Sequence, residues 1–432
     1  MAKKVVSPGG VFSGAVELPG DKSISHRYAI LAALAEGKSE IANYASAADC
    51  QSTLACLKRL GIEIEATPGR VRISGKGLDG LSKPRAKLNA KNSGSTMRLL
   101  SGVLAGQSFA STITGDNSLR RRPMRRIIEP LRQMGARIHG EDGDRAPLEV
   151  GGGKLRAIDY KLPIPSAQVK SAILLAGLYA DTVTSVTESV RTRDHTEIAL
   201  REFGAQVESA KGAIRIHPRP KLHPLQLTVP GDLSAAVFLI SAVLILPKSS
   251  IVIHNVGLNP TRAKVLDFLI SIGATIHPGS VQMLHGELVG DISIRHSPLS
   301  GGTISGPNVA EMIDELPMLA ALAPFTEKGI EIHDARELRL KESDRIAALA
   351  EGLRRMGARV DEFPDGMRVE GRNAGKLKGA KVDPKGDHRI AMALSIGALG
   401  ATGDTVIRNS DCVAVSFPQF FDVLERLREP QS

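Results

Sequence analysis

A short pattern recurs five times along the 432-residue chain and constrains its fold more than any other feature. Each copy has Leu, three further residues and Gly, followed by a short apolar stretch, as in Leu57-Lys-Arg-Leu-Gly61. The glycines are at positions 61, 135, 204, 273 and 357, so they lie 69 to 84 residues apart. The pattern is typical of a helix that ends at a left-handed Gly, where a residue without Cβ costs least, and is followed by a strand.

A second pattern, a polar turn followed by a helix of small and apolar residues, recurs six times between these marks. We therefore predict six copies of one α/β unit. The sixth would be completed by a closing helix from Phe417 to Arg428 and by a strand from the N-terminus. Because Pro19-Gly20-Asp21 recurs as Pro230-Gly231-Asp232, we expect two domains of three units. These are residues 20–229, and residues 1–19 with 230–432, joined by two crossings that form a hinge.

The formal net charge of +10 indicates anionic partners. Proteins that bind single-stranded nucleic acid interleave aromatic and basic residues for base stacking. Here aromatics are only 3% of the chain and the basic residues are spread over its whole length, so we expect small anions and no nucleic acid. The longest apolar stretch, Leu233 to Leu246, is shorter than the roughly 18 residues of a membrane span. It predicts a buried helix and no membrane partner.

Cysteine and glycine patterns argue against several other kinds of site. The three cysteines have no CxxC spacing, which argues against a zinc site or a disulfide framework and favours a reducing cytoplasm. The chain has neither a P-loop nor a dinucleotide-binding glycine motif, and its histidines lack metal-ligand spacing. The first residues lack the apolar run of a signal peptide. We expect a cytoplasmic protein with no metal and no cofactor.

Basic residues cluster at the predicted helix starts, where unpaired N–H groups and the helix dipole favour anions. Any one of them is explained as a solvated surface charge, but both halves of the chain contribute to the set. Arg binds a carboxylate or phosphate through two parallel hydrogen bonds, and Lys acts as a point charge. The residues are Lys22, Arg27, Arg98, five arginines between positions 120 and 126, Arg193, Lys341, Arg345, His388 and Arg389.

Two acidic residues stand beside these cations. Asp314 precedes an apolar helix, so helix capping is one explanation for it. Glu342 lies between Lys341 and Arg345, so an exposed ion pair is one explanation, and we place the next N-cap at Ser343. Alternatively, an acid beside cations and a bound anion stays ionised or shuttles a proton. On the residues alone, the helix-cap and ion-pair explanations are favoured over a catalytic role.

Eight short motifs follow one another along nearly the whole chain. They are Pro19-Gly-Asp-Lys-Ser-Ile-Ser-His-Arg27, Asn92-Ser-Gly-Ser-Thr-Met-Arg98, Arg122-Pro-Met124, Ser166-Ala-Gln168, Arg193-Asp-His-Thr196, Leu340-Lys-Glu-Ser-Asp-Arg345, Gly386-Asp-His-Arg389 and Ser416-Phe-Pro418. In this order and spacing they resemble the 5-enolpyruvylshikimate-3-phosphate synthase family, although no single motif is decisive. The resemblance implies two inside-out α/β domains, each of three βαβαββ units, joined by a two-strand hinge and closing over the substrates.

The resemblance also implies a set of substrate-binding residues. Shikimate 3-phosphate would be held by Lys22, Ser23, Arg27, Ser166, Ala167, Gln168, Arg193, Asp314 and Lys341. Phosphoenolpyruvate would be held by Lys22, Gly94, Arg122, Gln168, Arg345 and Arg389. The domain of residues 20–229 would then form the shikimate 3-phosphate side, and the other domain would carry the phosphoenolpyruvate side and the catalytic acids.

The implied activity is that of a carboxyvinyltransferase in the shikimate pathway of aromatic amino acid biosynthesis. The enolpyruvyl group of phosphoenolpyruvate would pass to the 5-hydroxyl of shikimate 3-phosphate by addition and elimination, with release of phosphate. Asp314 would take the hydroxyl proton, and Glu342, helped by Lys22, would protonate the methylene carbon. These two small molecules would be the partners of a monomeric enzyme.

Three positions bear on how closely the chain follows this family. Val415 stands where many members have a Lys that helps to bind phosphoenolpyruvate, and Ala167 stands where some have Ser. Gly94 leaves room that Ala fills in some glyphosate-tolerant members. The resemblance therefore implies a glyphosate-sensitive enzyme.

Two other functions stay open. A sister family uses UDP-N-acetylglucosamine as acceptor on the same fold, but it has Lys-Asn where this chain has Lys22-Ser23. It also carries a reactive Cys near position 120, whereas this chain has none between Cys56 and Cys412. The other alternative is a non-catalytic scaffold of the same repeat that binds anions or RNA. The two acids at the helix starts favour an enzyme.

Overall fold

The computed structural model describes residues 2–429 and divides the chain into two compact units. The N-half unit comprises residues 19–229 together with the short segment 283–287. The C-half unit comprises the residues up to 18, residues 230–282 and the residues from 288 onward.

The helices and strands follow one another in a repeating order. Two strands precede residue 19, β1 Lys3–Val6 and β2 Val11–Glu17. The elements between residues 19 and 229 are α1 Lys22–Leu34, β3 Glu36–Ala42, α2 Ala48–Arg59, β4 Glu63–Thr67, β5 Arg70–Lys76, β6 Leu88–Asn89, α3 Gly94–Ala105, β7 Ala110–Thr114, α4 Asn117–Arg121, α5 Arg125–Gln133, β8 Arg137–Glu141, β9 Arg145–Gly151, β10 Asp159–Lys161, α6 Ala167–Gly177, β11 Thr184–Thr187, α7 His195–Glu202, β12 Val207–Ala210, β13 Ala213–Ile216 and β14 Gln226–Thr228. The later elements are α8 Leu233–Ile245, β15 Ser250–Gly257, α9 Lys264–Ser271, β16 Thr275–Leu284, β17 Glu287–Arg295, β18 Gly302–Ile304, α10 Pro307–Glu311, α11 Leu316–Leu322, β19 Ile330–Ile332, α12 Arg345–Arg355, β20 Val360–Phe363, β21 Gly366–Val369, β22 Lys381–Val382, α13 His388–Leu399, β23 Thr405–Arg408, α14 Phe420–Leu427 and β24 Arg428–Glu429.

Six sheets repeat one strand pattern. The N-half unit has the orders β14-β3-β5-β4, β6-β7-β9-β8 and β10-β11-β13-β12. The C-half unit has β16-β17-β15-β2-β24, β18-β19-β21-β20 and β1-β23-β22. Each sheet has one parallel pair of strands, such as β10 with β11. The next strand of the sheet, here β13, lies antiparallel to its neighbour in that pair. Six βαβαββ copies give this arrangement, so the predicted α/β repeat fold is confirmed.

Strands distant in sequence complete two of these sheets. β1 lies antiparallel to β23, with Lys3 opposite Arg408, which confirms the expected N-terminal strand of the sixth copy. β14, at the end of the N-half stretch, lies parallel to β3 near its start. The closing helix α14 begins at Phe420 rather than at the predicted Phe417, because Pro418 follows Phe417 and the helix N-cap is Gln419.

Each unit is built around three buried helices. These are α1, α3 and α6 in the N-half unit and α8, α11 and α13 in the C-half unit, and nearly all of their residues are buried. A helix that is apolar on every face belongs in a core rather than on a surface. Every residue of α8 is buried, which confirms the buried helix expected from the longest apolar stretch. Among the described residues, no helix has the length and hydropathy needed to cross a membrane.

Glycines shape both the helix ends and the helix packing. The five glycines of the repeated pattern all have positive φ angles, from +87° to +107°, as predicted for helix C′ positions. Gly102 in α3 has a different role, because a Cβ there would lie 2.2 Å from the carbonyl oxygen of Ala172 in α6. The backbones of α3 and α6 therefore approach closely, and this contact sets the relation between two helix starts that carry predicted site residues.

Candidate active site

The buried helices begin at polar residues that cap their first turn. The caps with a side-chain hydrogen bond are Asp21 for α1, Ser93 for α3, Ser166 for α6, Asp232 for α8 and Asp387 for α13. An oxygen acceptor at the N-cap satisfies one of the orphan N–H groups of the helix start. Most predicted site residues lie at or beside these starts or near the starts of α7, α11 and α12, and Arg122 lies at the end of α4.

Lys22 is the first residue of α1, and its charge is partly balanced. Its Nζ lies 2.9 Å from Oδ2 of Asp49, which belongs to the first turn of α2. The two side chains are 16% and 7% exposed. A shielded pair of this kind keeps the ammonium group in one place at the start of the helix.

Arg27 lies one turn further along α1 and is bound by neutral acceptors. Nη1 donates to the backbone oxygen of Ser23 at 2.8 Å, Nε to Oγ1 of Thr196 at 2.6 Å and Nη2 to Oγ of Ser171 at 2.8 Å. Burial lowers the pKa of Arg27 to about 10, although the nearby carboxylate of Glu197 opposes the shift. The guanidinium group is therefore charged at neutral pH and held rigidly.

Gln168 joins the starts of α3 and α6. Its Oε1 accepts a hydrogen bond from Arg98, and its Nε2 donates to Oγ of Ser95 at 3.0 Å. Arg98 belonged to the predicted basic set but not to the predicted binding residues. Its hydrogen bond gives Arg98 a supporting role in the site, because it fixes the amide of Gln168.

Gly94 opens space between two arginines. A Cβ at this position would lie 2.7 Å from Nη1 of Arg98 and 3.3 Å from Nη1 of Arg122. Arg122 in turn donates from Nη2 to Oδ1 of Asn92 at 2.7 Å, and Asn92 donates to Asp116 at 2.8 Å. The structure thus brings Gly94, Gln168 and Arg122 together around the start of α3.

The remaining predicted residues of the N-half unit lie at the starts of α6 and α7. Ser166 caps α6, with Oγ accepting from the N–H of Val169 at 3.4 Å, and Ala167 is the first helical residue. Arg193 is half-buried in the segment just before α7, which also carries Thr196, the partner of Arg27. The two groups of residues in this unit are therefore connected through α6.

In the C-half unit, Arg345 is surrounded by carboxylates. Its Nε lies 2.8 Å from Oδ2 of Asp387 and its Nη2 lies 2.7 Å from Oε2 of Glu342. Nη1 is 3.6 Å from Oδ1 of Asp314. Burial lowers the pKa of Arg345, but the three carboxylates outweigh burial and raise it above its ordinary value. The side chain is only 2% exposed, so this charge cluster lies inside the protein.

Arg389, at the start of α13, lies on the other side of Asp314. Nη1 donates to the backbone oxygen of Asp314 at 2.7 Å, and Nη2 is 3.6 Å from its Oδ2. Nη1 is also 3.8 Å from Oε1 of Glu315. Asp314 is therefore held between two guanidinium groups, and the N-cap position of α11 is occupied by Glu315 instead. The explanation of Asp314 as a helix cap is wrong.

Glu342 and its neighbours give two further outcomes. Glu342 forms the suggested ion pair with Arg345, but its side chain is only 14% exposed, so an exposed pair is the wrong description. The N-cap of α12 is Asp344, one residue after the predicted Ser343, and Ser343 instead donates to Asp387 at 3.2 Å. An Asp carboxylate accepts the capping hydrogen bond as well as a Ser hydroxyl does.

Lys341 is a half-buried cation beside the same cluster. Burial lowers its pKa, and the carboxylate of Asp314 acts in the opposite direction. Asp387 and Asp49, the partners of Arg345 and Lys22, were not among the predicted site residues. Their signal in the sequence is weak, because each is simply an acid in the first turn or at the cap of a helix. Within residues 2–429, no group of three or more His, Cys, Asp or Glu side chains is placed to hold a metal ion.

The two sets of residues place cationic side chains at helix starts and two carboxylates, Asp314 and Glu342, beside Arg345. The family model of EPSP synthase (3-phosphoshikimate 1-carboxyvinyltransferase) matches residues 6–424. The chain therefore belongs to the EPSP synthase family.

Individual relatives cover the chain from end to end. It is 54% identical over 426 residues to a 3-phosphoshikimate 1-carboxyvinyltransferase of Solibacter usitatus (strain Ellin6076), covering 99% of this chain and 100% of the relative. It is 52% identical to one of Koribacter versatilis (strain Ellin345), covering 98% and 99%. A solved EPSP synthase of Acinetobacter baumannii superposes with a TM-score of 0.87 at 40% identity, covering 99% of this chain and 98% of that one.

Proposed function

We propose that this protein transfers the enolpyruvyl group of phosphoenolpyruvate to the 5-hydroxyl of shikimate 3-phosphate and releases phosphate. The observation that carries the proposal is the cluster in which Asp314 and Glu342 contact the same guanidinium group, that of Arg345. An addition and elimination reaction needs a base for the hydroxyl proton and an acid for the methylene carbon. The cluster supplies two carboxyl groups held beside fixed cations.

The residues of the N-half unit are proposed to bind shikimate 3-phosphate. Arg27 is held by hydroxyl and carbonyl oxygens, and none of the carboxylates in the described part of the chain pairs with it, so its charge is available to a phosphate. Lys22 and the start of α6 would add an ammonium charge and a helix N-terminus. The proposed residues of this unit for this substrate are Lys22, Ser23, Arg27, Ser166, Ala167, Gln168 and Arg193.

Phosphoenolpyruvate would be held by arginines at several helix starts. Gly94 leaves room for the guanidinium group of Arg122, and the proposal adds Lys22 and Gln168 in the same unit. Arg345 and Arg389 are the proposed contacts in the C-half unit. Fixed cations of this kind stabilise the charge that develops as phosphate leaves.

The surroundings of the two acids support the proposed catalytic roles. Asp314 lies between Arg345 and Arg389, which favour its ionised form, so it is the proposed base for the 5-hydroxyl proton. Glu342 is the proposed acid that protonates C3 while the hydroxyl oxygen attacks C2, assisted by Lys22. In the second step C3 returns a proton and phosphate departs, which regenerates the enolpyruvyl double bond. Lys341 would contact shikimate 3-phosphate.

The direct test is to incubate the purified protein with both substrates, without added metal, and to measure phosphate release. The same assay with UDP-N-acetylglucosamine as acceptor separates this activity from that of the sister family. Phosphate release with shikimate 3-phosphate but not with UDP-N-acetylglucosamine supports the proposal. Release only with UDP-N-acetylglucosamine, or none with either acceptor, would contradict it.

We further expect the protein to act as a monomer in the cytoplasm, with no nucleic-acid or membrane partner. Size-exclusion chromatography with light scattering should then give the mass of one chain, 45.9 kDa. A mass of two chains or more would contradict this expectation.

A further inference from the structure

A buried ion cluster in the N-half unit has no role in the proposed reaction. Nζ of Lys170, on α6, lies 2.7 Å from Oε1 of Glu197 on α7 and 3.0 Å from Oε2 of Glu188. The side chains are 1%, 2% and 4% exposed. One ammonium group faces two carboxylates away from solvent. Burying these charges costs folding free energy unless the three groups are held in good hydrogen-bonding geometry.

Lys170 ties together three segments of the chain. Besides the two carboxylates, Nζ donates to the backbone oxygen of Thr192 at 3.4 Å. Thr192 also donates from Oγ1 to Glu188, so the segment from 188 to 192 is bound at both ends. Arg193 is the next residue. Lys170 therefore fixes the backbone that carries Arg193 relative to α6 and α7.

The cluster also lies directly beside the acceptors of Arg27. Ser171 and Thr196, each one residue from a member of the cluster, are joined Oγ to Oγ1 at 2.6 Å. These two hydroxyls accept hydrogen bonds from Nη2 and Nε of Arg27, respectively. The helices α6 and α7 are thus connected by two adjacent contacts, one charged and one neutral, and Arg27 is bound to the neutral one.

We propose that Lys170 is a positioning residue for shikimate 3-phosphate, acting through its contacts with Glu188, Glu197 and the backbone of Thr192. It touches no substrate. It holds α6, the segment before α7 and α7 in the geometry that Arg27 and Arg193 need to bind one phosphate group together. The inference rests on the proposed function, because it assigns this part of the site to shikimate 3-phosphate.

An ion pair that only stabilises the fold predicts a different result. It would lower the unfolding temperature when broken, and it would affect the two substrates equally or not at all. A positioning role predicts a selective effect on shikimate 3-phosphate, because the cluster fixes the segment that carries Arg193 and lies beside the acceptors of Arg27, and these two arginines are proposed for that substrate only.

The test measures KM for each substrate, kcat and the unfolding temperature in Lys170→Met, Lys170→Arg and Glu197→Gln. In Lys170→Met we expect KM for shikimate 3-phosphate to rise on the order of ten- to hundred-fold, the usual cost of a small misplacement. KM for phosphoenolpyruvate should change by less than about three-fold, roughly 0.6 kcal/mol. Lys170→Arg, which keeps the charge, should recover part of the loss.

Two controls keep the proposal falsifiable. Leu148→Ala removes a buried side chain of β9 that is outside the cluster, so it should lower the unfolding temperature without changing the KM ratio. If Lys170→Met does not fold, Glu197→Gln retains the pair of Lys170 with Glu188 and should show the same selectivity at smaller amplitude. Equal effects on both KM values, or a loss of stability alone, would overturn the proposal.

Wild-type turnover in the same assay separates the two ideas. If the wild-type protein shows no enolpyruvyl transfer, the proposed function fails. If it turns over normally while the variants change stability but not KM for shikimate 3-phosphate, only the positioning role of Lys170 fails.

Discussion

Arg27 and Arg345 occupy similar places in the two units but are held in opposite ways. Each is a buried guanidinium group on a helix within its first turns. Arg27 donates to two hydroxyls and a backbone carbonyl, whereas Arg345 lies against three carboxylates. A cation held by neutral acceptors keeps its full charge for a ligand anion. A cation surrounded by carboxylates is already neutralised, so an anion binds beside it at low cost only if a carboxylate takes up a proton or moves.

This difference indicates what each region is suited to do. The surroundings of Arg27 favour the binding of a phosphate with little rearrangement. Around Arg345, an incoming anion competes with three carboxylates for one guanidinium group, so anion binding there favours proton uptake by a neighbouring acid. One region therefore suits recognition and the other suits proton transfer.

The largest effect expected from this comparison concerns the two acids. In Asp314→Asn and Glu342→Gln, kcat should fall on the order of 10²- to 10⁴-fold, because each removes a proton-transfer group. Steady-state phosphate release measures the loss. Asp361→Asn, on an exposed position of β20, serves as the control and should retain full activity. Unchanged kcat in either acid variant would remove the assignment of proton transfer to this cluster.

The second prediction compares the two arginines in stability. Arg345→Met takes one buried cation away from three carboxylates and should cost about 3–5 kcal/mol of unfolding free energy. Arg27→Met removes hydrogen bonds to neutral acceptors only and should cost about 1–3 kcal/mol. Urea unfolding measures both. Equal losses in the two variants would break the comparison.

A smaller effect is expected at Gly94. In Gly94→Ala the new Cβ would displace the guanidinium group of Arg98 and crowd that of Arg122. KM for phosphoenolpyruvate should rise by about three- to ten-fold, on the order of 1 kcal/mol, and inhibition by glyphosate should weaken in parallel. Gly153→Ala, where a Cβ would meet no atom within 4 Å, is the matched control. Similar KM values in the two variants would contradict the proposed role of this position.

The smallest effect concerns the pH dependence of Lys341. Burial lowers the pKa of its ammonium group, so it loses its proton at a lower pH than an exposed lysine does. KM for shikimate 3-phosphate should therefore rise a few-fold as the pH increases toward the ordinary lysine range of about 10. Lys341→Arg should move this rise to higher pH, because guanidinium stays protonated. An identical pH profile in the variant would show that another group titrates.

Much of the fold could be predicted because its signals are local. The five helix-ending glycines and the apolar inner helices need only the conformational freedom of Gly and the even hydrophobicity of a buried helix. The closing strand β1 could be expected because five complete copies of the unit showed that the sixth copy lacks one strand. The start of α14 was placed three residues early, since the apolar Phe417 packs in the core without being helical.

The site was less accessible because its partners are distant in sequence. The motifs point to Arg345 and Arg389, but nothing near Arg345 indicates that Asp387, 42 residues away, binds it. Lys170 lies inside a helix of apolar residues, where its charge looks like an exception until Glu188 and Glu197 are placed around it. The substrate-binding roles of the individual residues stay predictions.

The way the first strands are paired has a consequence for how the protein is made. All sheet partners of the stretch from 19 to 229 lie within it, so it can fold while the later residues are still being synthesised. β1 must instead wait for β23, 399 residues further on from Val6 to Thr405. At about 5–20 residues per second this delay is roughly 20–80 s. β1 is therefore made long before its partner, and its unpaired strand edge stays exposed to other chains until β23 is made.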